Sequence, residues 1–337
     1  MSVSYGLINK FLTEQIHNIK KHNYLVIIAY HGVIRTPLSF YDYCFIDETT
    51  FRCQIQYLKR HFDFQFLSKA VMLIKNGNIK KPTAVITFDD GYQNNYDFAY
   101  PILREESLPA TIFLTTGMIN TDDTIWTSRL HHALSIGKKT LLNYNDFRYN
   151  LTKTNHKIMA ANIIKSRLKK LPHSQMMSEL HDIILKLDVN PNQSLEVNSP
   201  YRMLNSNMIK IMADSGLIEF GAHTHRHAIL SALSYKQQEE EITRSIKEVQ
   251  ELTGKQCKLF AFPNGTIQDY NEETIKILKN QGIVAGVTTR TGINNEKTSI
   301  MELRRYCMGS DMNMIRFKLT VRTILPVLKS IQKLIKH

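Results

Sequence analysis

Short apolar runs alternate with stretches of helical periodicity along most of this chain. Leu25 to Tyr30 is an uninterrupted run closed by His31-Gly32, and Thr83 to Phe88, Thr111 to Leu114, Leu217 to Gly221, Lys258 to Phe262 and Val284 to Thr289 repeat the pattern. Runs of this length, rich in β-branched and aromatic residues and stopped by turn signals such as Thr115-Thr116-Gly117 and Pro263-Asn264-Gly265, predict buried strands. Between them, Phe51 to His61 has apolar residues at helical spacing (Phe51, Ile55, Leu58), and Tyr96 to Glu106, Tyr235 to Thr253 and Asn271 to Asn280 also read as helices. Strands alternating with helices of this length predict parallel βα units.

The alternation breaks from about residue 119 to 212, where the sequence turns polar and mainly helical, with helices expected over Asn162 to Leu171 and His173 to Leu187. This segment reads as an insertion within an α/β domain spanning residues 24–310. Both ends of the chain are amphipathic. Residues 1–23 carry Leu7, Ile8, Phe11, Leu12, Ile16 and Ile19, and within residues 311–337 the apolar positions Ile315, Phe317, Val321, Ile324, Leu328, Ile331 and Ile335 alternate with lysines and arginines, interrupted by Pro326. A basic amphipathic helix either lies at an anionic membrane surface or packs on its own domain.

Composition narrows the class. With 337 residues, 43% hydrophobic and 22% charged, the chain can bury a full core. The formal net charge of +13 calls for an anionic partner: nucleic acid, a membrane surface or a phosphorylated substrate. The absence of a helix-turn-helix, zinc-finger or RNA-binding signature argues against nucleic acid. Cys44, Cys53, Cys257 and Cys307 form no CxxC pair and read as reduced thiols. No secretory h-region opens the sequence, and no apolar run reaches the roughly 18–20 residues that span a bilayer. These features predict a cytoplasmic protein, with the amphipathic ends allowing peripheral attachment to the inner face of the membrane.

The chemistry concentrates in two places. Asp89-Asp90-Gly91 follows the strand Ala84 to Phe88, and His223-Thr224-His225-Arg226-His227 follows another predicted strand. Asp-Asp-Gly alone is most often a turn, and an isolated HxxxH is common on exposed helices. Together, each at the end of a parallel strand where barrel enzymes place catalytic groups, they point to metal-assisted hydrolysis. Asp90, His223 and His227 would hold a divalent cation, most readily zinc, with cobalt or nickel as alternatives. The spacing of four lets the two histidines point the same way on a helical turn, and Asp89 stays free as a general base.

These motifs resemble those of the polysaccharide deacetylases with a NodB-type domain. Thr87-Phe88-Asp89-Asp90-Gly91 is similar to the family's first motif and His223 to His227 to its H-(S/T)-x-x-H motif. Tyr30-His31-Gly32-Val33, Phe113-Leu114-Thr115-Thr116-Gly117 and Phe260-Ala261-Phe262-Pro263-Asn264-Gly265 extend the likeness over residues 24–308. The resemblance implies a distorted (β/α) barrel and hydrolysis of an N-acyl group, usually acetyl, from an amino sugar. It also implies Asp89 as base and Asp90, His223 and His227 as metal ligands. Action during assembly of a surface glycan is the expectation, and a lipid-linked sugar phosphate as substrate would account for the basic balance and the amphipathic ends together. Removal of another acyl group, such as formyl, and a non-catalytic carbohydrate-binding barrel are the alternatives.

Two family features are missing. No histidine follows Val284 until His337, so the late Leu-x-His acid is absent, leaving His31 and then His225 as proton donors. The arginine that often precedes the third-motif proline is absent from Leu259-Phe260-Ala261-Phe262-Pro263. Tyr92, Pro263 and Asn264 are expected to contact substrate. Trp126, Arg129, His131 and His132 would form a wall beside it, and Arg304-Arg305 would face either an anionic substrate group or solvent.

Overall fold

The computed structural model describes residues 24–322 apart from residue 39, so the amphipathic segment expected over residues 1–23 and most of that expected over 311–337 lie outside the described residues. The predicted strands appear as β1 (Leu25–Tyr30), β5 (Thr83–Phe88), β6 (Ala110–Leu114), β9 (Ile218–Ala222), β10 (Leu259–Ala261) and β11 (Ala285–Val287), and Tyr306–Cys307 adds β12. They run parallel in the order β11-β10-β9-β6-β5-β1-β12. Outside this sheet, β2 (Gly32–Ile34) pairs parallel with β3 (Phe45–Asp47). The short strand β4 (Asp63–Phe64) pairs with Thr83 and Ala84 of β5, while β6 meets β5 at Ile86 to Phe88, so the ring is splayed there.

The segment from Leu303 closes the sheet. Leu303 bonds Gly286 and Thr288 of the β11 edge, Arg305 N–H donates to the Arg290 carbonyl, and Tyr306 and Cys307 then pair with Ile28 and Ala29 of β1. The fold is a distorted (β/α) barrel. Side chains alternate across each strand with period 2. Leu25, Ile27, Val85, Phe113, Leu259, Val287 and Leu303 fill the inside together with Leu67, Val71 and Ile74 of a plugging helix, Leu67–Lys75. The intervening Val26, Ile28, Ile86, Phe88, Ile112 and Leu114 face the outer helices. Glu219, on the inner side of β9, accepts from the Ser68 N–H and hydroxyl and from the Thr111 hydroxyl, tying the plug to the barrel wall.

The outer helices include α1 (Glu48–His61), α3 (Tyr100–Glu106, after the plug α2), α8 (Tyr235–Thr253) and α9 (Glu272–Asn280). Helix α8 begins in a capping box at Ser234 and Gln237 and ends at Gly254 with φ of +66°. The segment after β6 carries α4 (Trp126–Ile136), α5 (Thr154–Leu168), α6 (His173–Lys186) and α7 (Ser206–Asp214). It also holds a hairpin that the polar composition concealed: β7 (Leu141–Tyr144) and β8 (Phe147–Asn150) pair antiparallel around Asn145-Asp146. Both turn residues have positive φ, +47° and +59°, which fits the twist of a tight hairpin and which Asn and Asp tolerate. Trp126, Leu130, Leu142, Ile164, Leu180 and Ile184 share a core separate from that of the barrel, whereas Ile209 and Met212 of α7 belong to the barrel core. Helix α10 (Met314–Val321) packs Phe317 and Val321 into the barrel core. No helix of the described residues is long and apolar enough to cross a membrane.

Gly221 marks how tightly the barrel interior is filled. A Cβ there would lie 2.6 Å from the Phe113 ring and 2.8 Å from the Leu259 carbonyl oxygen. Gly221→Ala is therefore expected to destabilise the fold by about 1–3 kcal/mol through overpacking, measured as a lower urea midpoint with unchanged slope.

Candidate active site

Strand β5 ends at Phe88, and the next two residues separate by backbone geometry. Asp89 continues the inward alternation of Val85 and Thr87. Asp90 has φ of +73°, and the Gly91 N–H donates to the Asp89 carbonyl at 2.9 Å, so Asp90 is the centre of a γ-turn with positive φ. That conformation is costly for a residue with a Cβ, and it swings the second carboxylate away from the first. Gly91, with φ of +86°, carries the chain out of the turn.

The histidines follow β9 in a loop, and this corrects the expectation of a helical turn. Thr224 and His227 have φ of +64° and +55°, and these reversals bring the His223 and His227 rings to 5.0 Å between centroids. The loop is pinned by Glu241 of α8, buried to 1% exposure. Its carboxylate accepts from the His225 and Arg226 N–H groups and pairs with the Arg226 guanidinium. Glu241 is a supporting residue that sequence reasoning missed, because nothing local marks one glutamate among those of α8.

Asp90 Oδ1 lies 3.3 Å from His223 Nε2 and 3.3 Å from His227 Nε2, and all three residues are buried. Asp90 Oδ1 nevertheless has no properly directed hydrogen bond. A separation near 3.3 Å is the edge of a tetrahedron whose centre-to-corner distance is about 2.0–2.1 Å, the bond length of zinc to nitrogen or carboxylate oxygen. The Ala261 carbonyl, 2.8 Å from His223 Nδ1, accepts that ring's N–H and leaves the Nε2 lone pair free to ligate a cation. Burial would raise the Asp90 carboxyl, but the two imidazoles outweigh it and hold the group well below its ordinary value. Burial disfavours the imidazolium of both histidines; the carboxylates overcome it at His223, while at His227 burial prevails and lowers the pKa. The donor set fits a small divalent cation.

Asp89 has a different partner. Arg305, fully buried on the closing strand, donates to both its carboxylate oxygens at 2.7 and 2.6 Å, and its Nε–H donates to the Thr288 carbonyl. Burial raises the Asp89 carboxyl, and the guanidinium more than offsets this, holding it below its ordinary value. A buried arginine thus reaches Asp89 from the closing segment, although none immediately precedes Pro263. Of the expected outcomes for Arg304-Arg305, neither substrate nor solvent describes Arg305. The signal was present in the sequence as period-2 alternation, Leu303 and Arg305 on one face, but nothing local marked that face as inward.

A cavity of about 370 Å³ opens over these groups, with His31, Asp89, Asp90, His223, His227 and Asn264 among its lining. His31, the expected proton donor, lines this cavity: its Nδ1 is buried without a partner, and its backbone is held by the Asn95 amide, 2.6 Å from the His31 carbonyl. His225 does not line the cavity; its Nδ1 is 2.8 Å from Glu248. Tyr92 and Pro263, expected at the substrate, are also absent from the lining. The Tyr92 ring is fully buried against Phe45, and its hydroxyl lies 2.6 Å from Ser128, which does face the cavity. Pro263 is buried at the start of the turn that presents Asn264, whose φ is +59°. Of the proposed wall, His131 lines the cavity, with Nδ1 3.1 Å from the buried Asp42. Trp126 instead packs in the inserted core, Arg129 pairs with Asp123, and His132 lies edge-on to Tyr201. Cys44 also reaches the cavity, but burial and then the charges of Asp42 and Asp90 keep its thiol protonated.

Comparison with known proteins agrees with this fold. The family description "Polysaccharide deacetylase" matches residues 76–286. A poly-beta-1,6-N-acetyl-D-glucosamine N-deacetylase of Staphylococcus aureus is 27% identical over 217 residues, covering 62% of this chain and 70% of the relative. Among solved structures, IcaB from Ammonifex degensii aligns with a TM-score of 0.59 at 17% identity, over 90% of this chain and 97% of the other. The Streptococcus pyogenes deacetylase PplD aligns with a TM-score of 0.58 at 18% identity, over 88% and 98%.

Breaking a buried pair strands a charge. Arg305→Met should cost about 3–5 kcal/mol in chemical denaturation. Adding Asp89→Asn should recover part of that loss, giving a coupling in the double-mutant cycle. Additive losses would show that the two side chains do not depend on each other.

Proposed function

Because this chain belongs to the polysaccharide deacetylase family, we propose that it hydrolyses the N-acetyl group of an amino sugar in a surface glycan, with a divalent cation held by Asp90, His223 and His227. The observation that carries this reading is the juxtaposition of three converging free donors with a separately anchored carboxylate, Asp89, at the carboxyl ends of barrel strands. The names of the Staphylococcus aureus relatives support the amino-sugar amide as the scissile group.

A cation bound there would acidify water and polarise the acyl carbonyl. Two imidazole nitrogens and one carboxylate oxygen suit zinc, with cobalt and nickel sharing the same donor preference. Asp89 takes the proton from the attacking water. Arg305 keeps Asp89 ionised and fixes its plane, while each carboxylate oxygen retains a lone pair for that proton. His31 returns a proton to the sugar nitrogen as the carbon–nitrogen bond breaks. Asn264 and Ser128 offer hydrogen bonds to sugar hydroxyls. The alternative of a non-catalytic barrel drew on the missing late histidine and the missing arginine; Arg305 supplies a buried arginine at Asp89, and His31 is the proposed substitute for the histidine.

Acetate release from an N-acetylhexosamine oligomer, with zinc, cobalt or nickel supplied, tests the assignment. Asp89→Asn should abolish release yet keep the metal in elemental analysis, whereas His223→Ala should lose the metal itself. Turnover surviving both changes would refute the site. His31→Ala should slow amide hydrolysis by about 10²–10⁴-fold while affecting a 4-nitrophenyl acetate substrate far less, because a phenolate leaves without protonation. Equal losses on amide and ester would assign His31 another role.

A further inference from the structure

Helix α5 of the inserted segment presents a polar stripe to the same cavity. Asn162, Lys165 and Ser166, with Lys169 at the C-cap, fall at i, i+3, i+4 and i+7, one face of a helix. The opposite face, Ala161, Ile164 and Leu168, is buried in the inserted core, so packing dictates which side turns toward the metal donors. Two of the four stripe positions are lysines, and both are half-buried.

Every acid lining the cavity has its own cationic or imidazole partner. Asp89 is held by Arg305, Asp90 lies between His223 and His227, and Asp42 is 3.1 Å from His131. Among the described residues, no carboxylate lies within 4.0 Å of the ammonium of Lys165 or Lys169. The more distant charges are Asp42, which Lys165 helps to hold ionised, and Asp269, whose field reaches Lys169. Burial pushes the Lys169 ammonium below its ordinary value, and its charge reaches His227. A desolvated ammonium without a bonded counterion is unfavourable, and an anionic ligand would relieve it.

We propose that Lys165 and Lys169 form a subsite for an oxyanion, a phosphate ester or a carboxylate, carried by the amino sugar whose N-acyl group lies at Asp90, His223 and His227. This rests on the deacetylase reading and sharpens it: the substrate class is an acidic rather than a neutral N-acyl amino sugar. Thr127 and Thr289, on other sides of the cavity, leave neutral hydrogen-bonding positions for the sugar itself. The selectivity is built on the inserted helix, so the barrel supplies the chemistry and the insertion reads the substituent.

Binding to the zinc-loaded full chain tests the subsite independently of turnover. Calorimetry would compare N-acetylglucosamine with its 1-phosphate and with N-acetylmuramic acid, which distinguishes phosphate from carboxylate. At least one acidic ligand should bind about 10–100-fold more tightly than the neutral sugar, the range for charge-assisted hydrogen bonds. Lys165→Gln/Lys169→Gln should erase that preference while retaining zinc and leaving affinity for the neutral sugar unchanged. Lys165→Arg/Lys169→Arg should keep most of it. An anion preference that survives the glutamine pair would place the anion on the metal and overturn the proposal, as would equal binding of acidic and neutral sugars by the unaltered chain. Failure of the deacetylase reading shows differently: no acetate is released from any of the three sugars, while the lysine-dependent preference in binding persists.

Discussion

Asp89 and Arg305 are 216 positions apart and fully desolvated, and the barrel has to close for them to meet. Neither charge is tolerable alone in that interior, since an unpaired buried ion costs several kcal/mol. The pair therefore couples the last strand of the sheet to the first catalytic motif. The backbone of the closing segment bonds β11 on one side and β1 on the other, while its side chain at 305 reaches across the inside to β5. Ring closure and the ionised state of the proposed base are thus two consequences of one contact.

The separation of the two adjacent aspartates follows from the turn they occupy. A regular strand would send Asp89 and Asp90 to opposite faces, inside and outside. The γ-turn at Asp90 brings the second carboxylate back over the barrel mouth, where it meets imidazoles delivered by another strained loop. Four non-glycine residues of this mouth, Asp90, Thr224, His227 and Asn264, have positive φ. Strain concentrated at one end of the barrel, opposite a tightly filled apolar plug, is the pattern expected where geometry serves a ligand rather than stability.

The insertion adds a second layer to the same mouth. Its own apolar core lets α5 hold a fixed orientation, so the polar stripe it offers to the cavity is a wall rather than a loose strap. The barrel and the insertion contribute different things, metal donors and a carboxylate from one, cationic and hydroxyl groups from the other, and the cavity lies between them.

The strand and helix pattern of the barrel was legible because each strand is buried on both faces and each outer helix on one, which leaves a direct imprint on the order of apolar residues. Asp89, Asp90, His223 and His227 were legible for a related reason: they follow directly on such strands, and their types carry metal chemistry. The hairpin at residues 141–150 was hidden because one face of it is exposed and its turn lacks glycine. The role of Arg305, the pinning of the histidine loop by Glu241, the burial of Tyr92 behind Ser128 and the lysine stripe of α5 depend on which faces meet across the barrel. Sequence determined what chemistry the chain carries and where its strands end. Only the closed tertiary structure decided which charge each carboxylate would face, because that is set by distances between strands far apart in the chain.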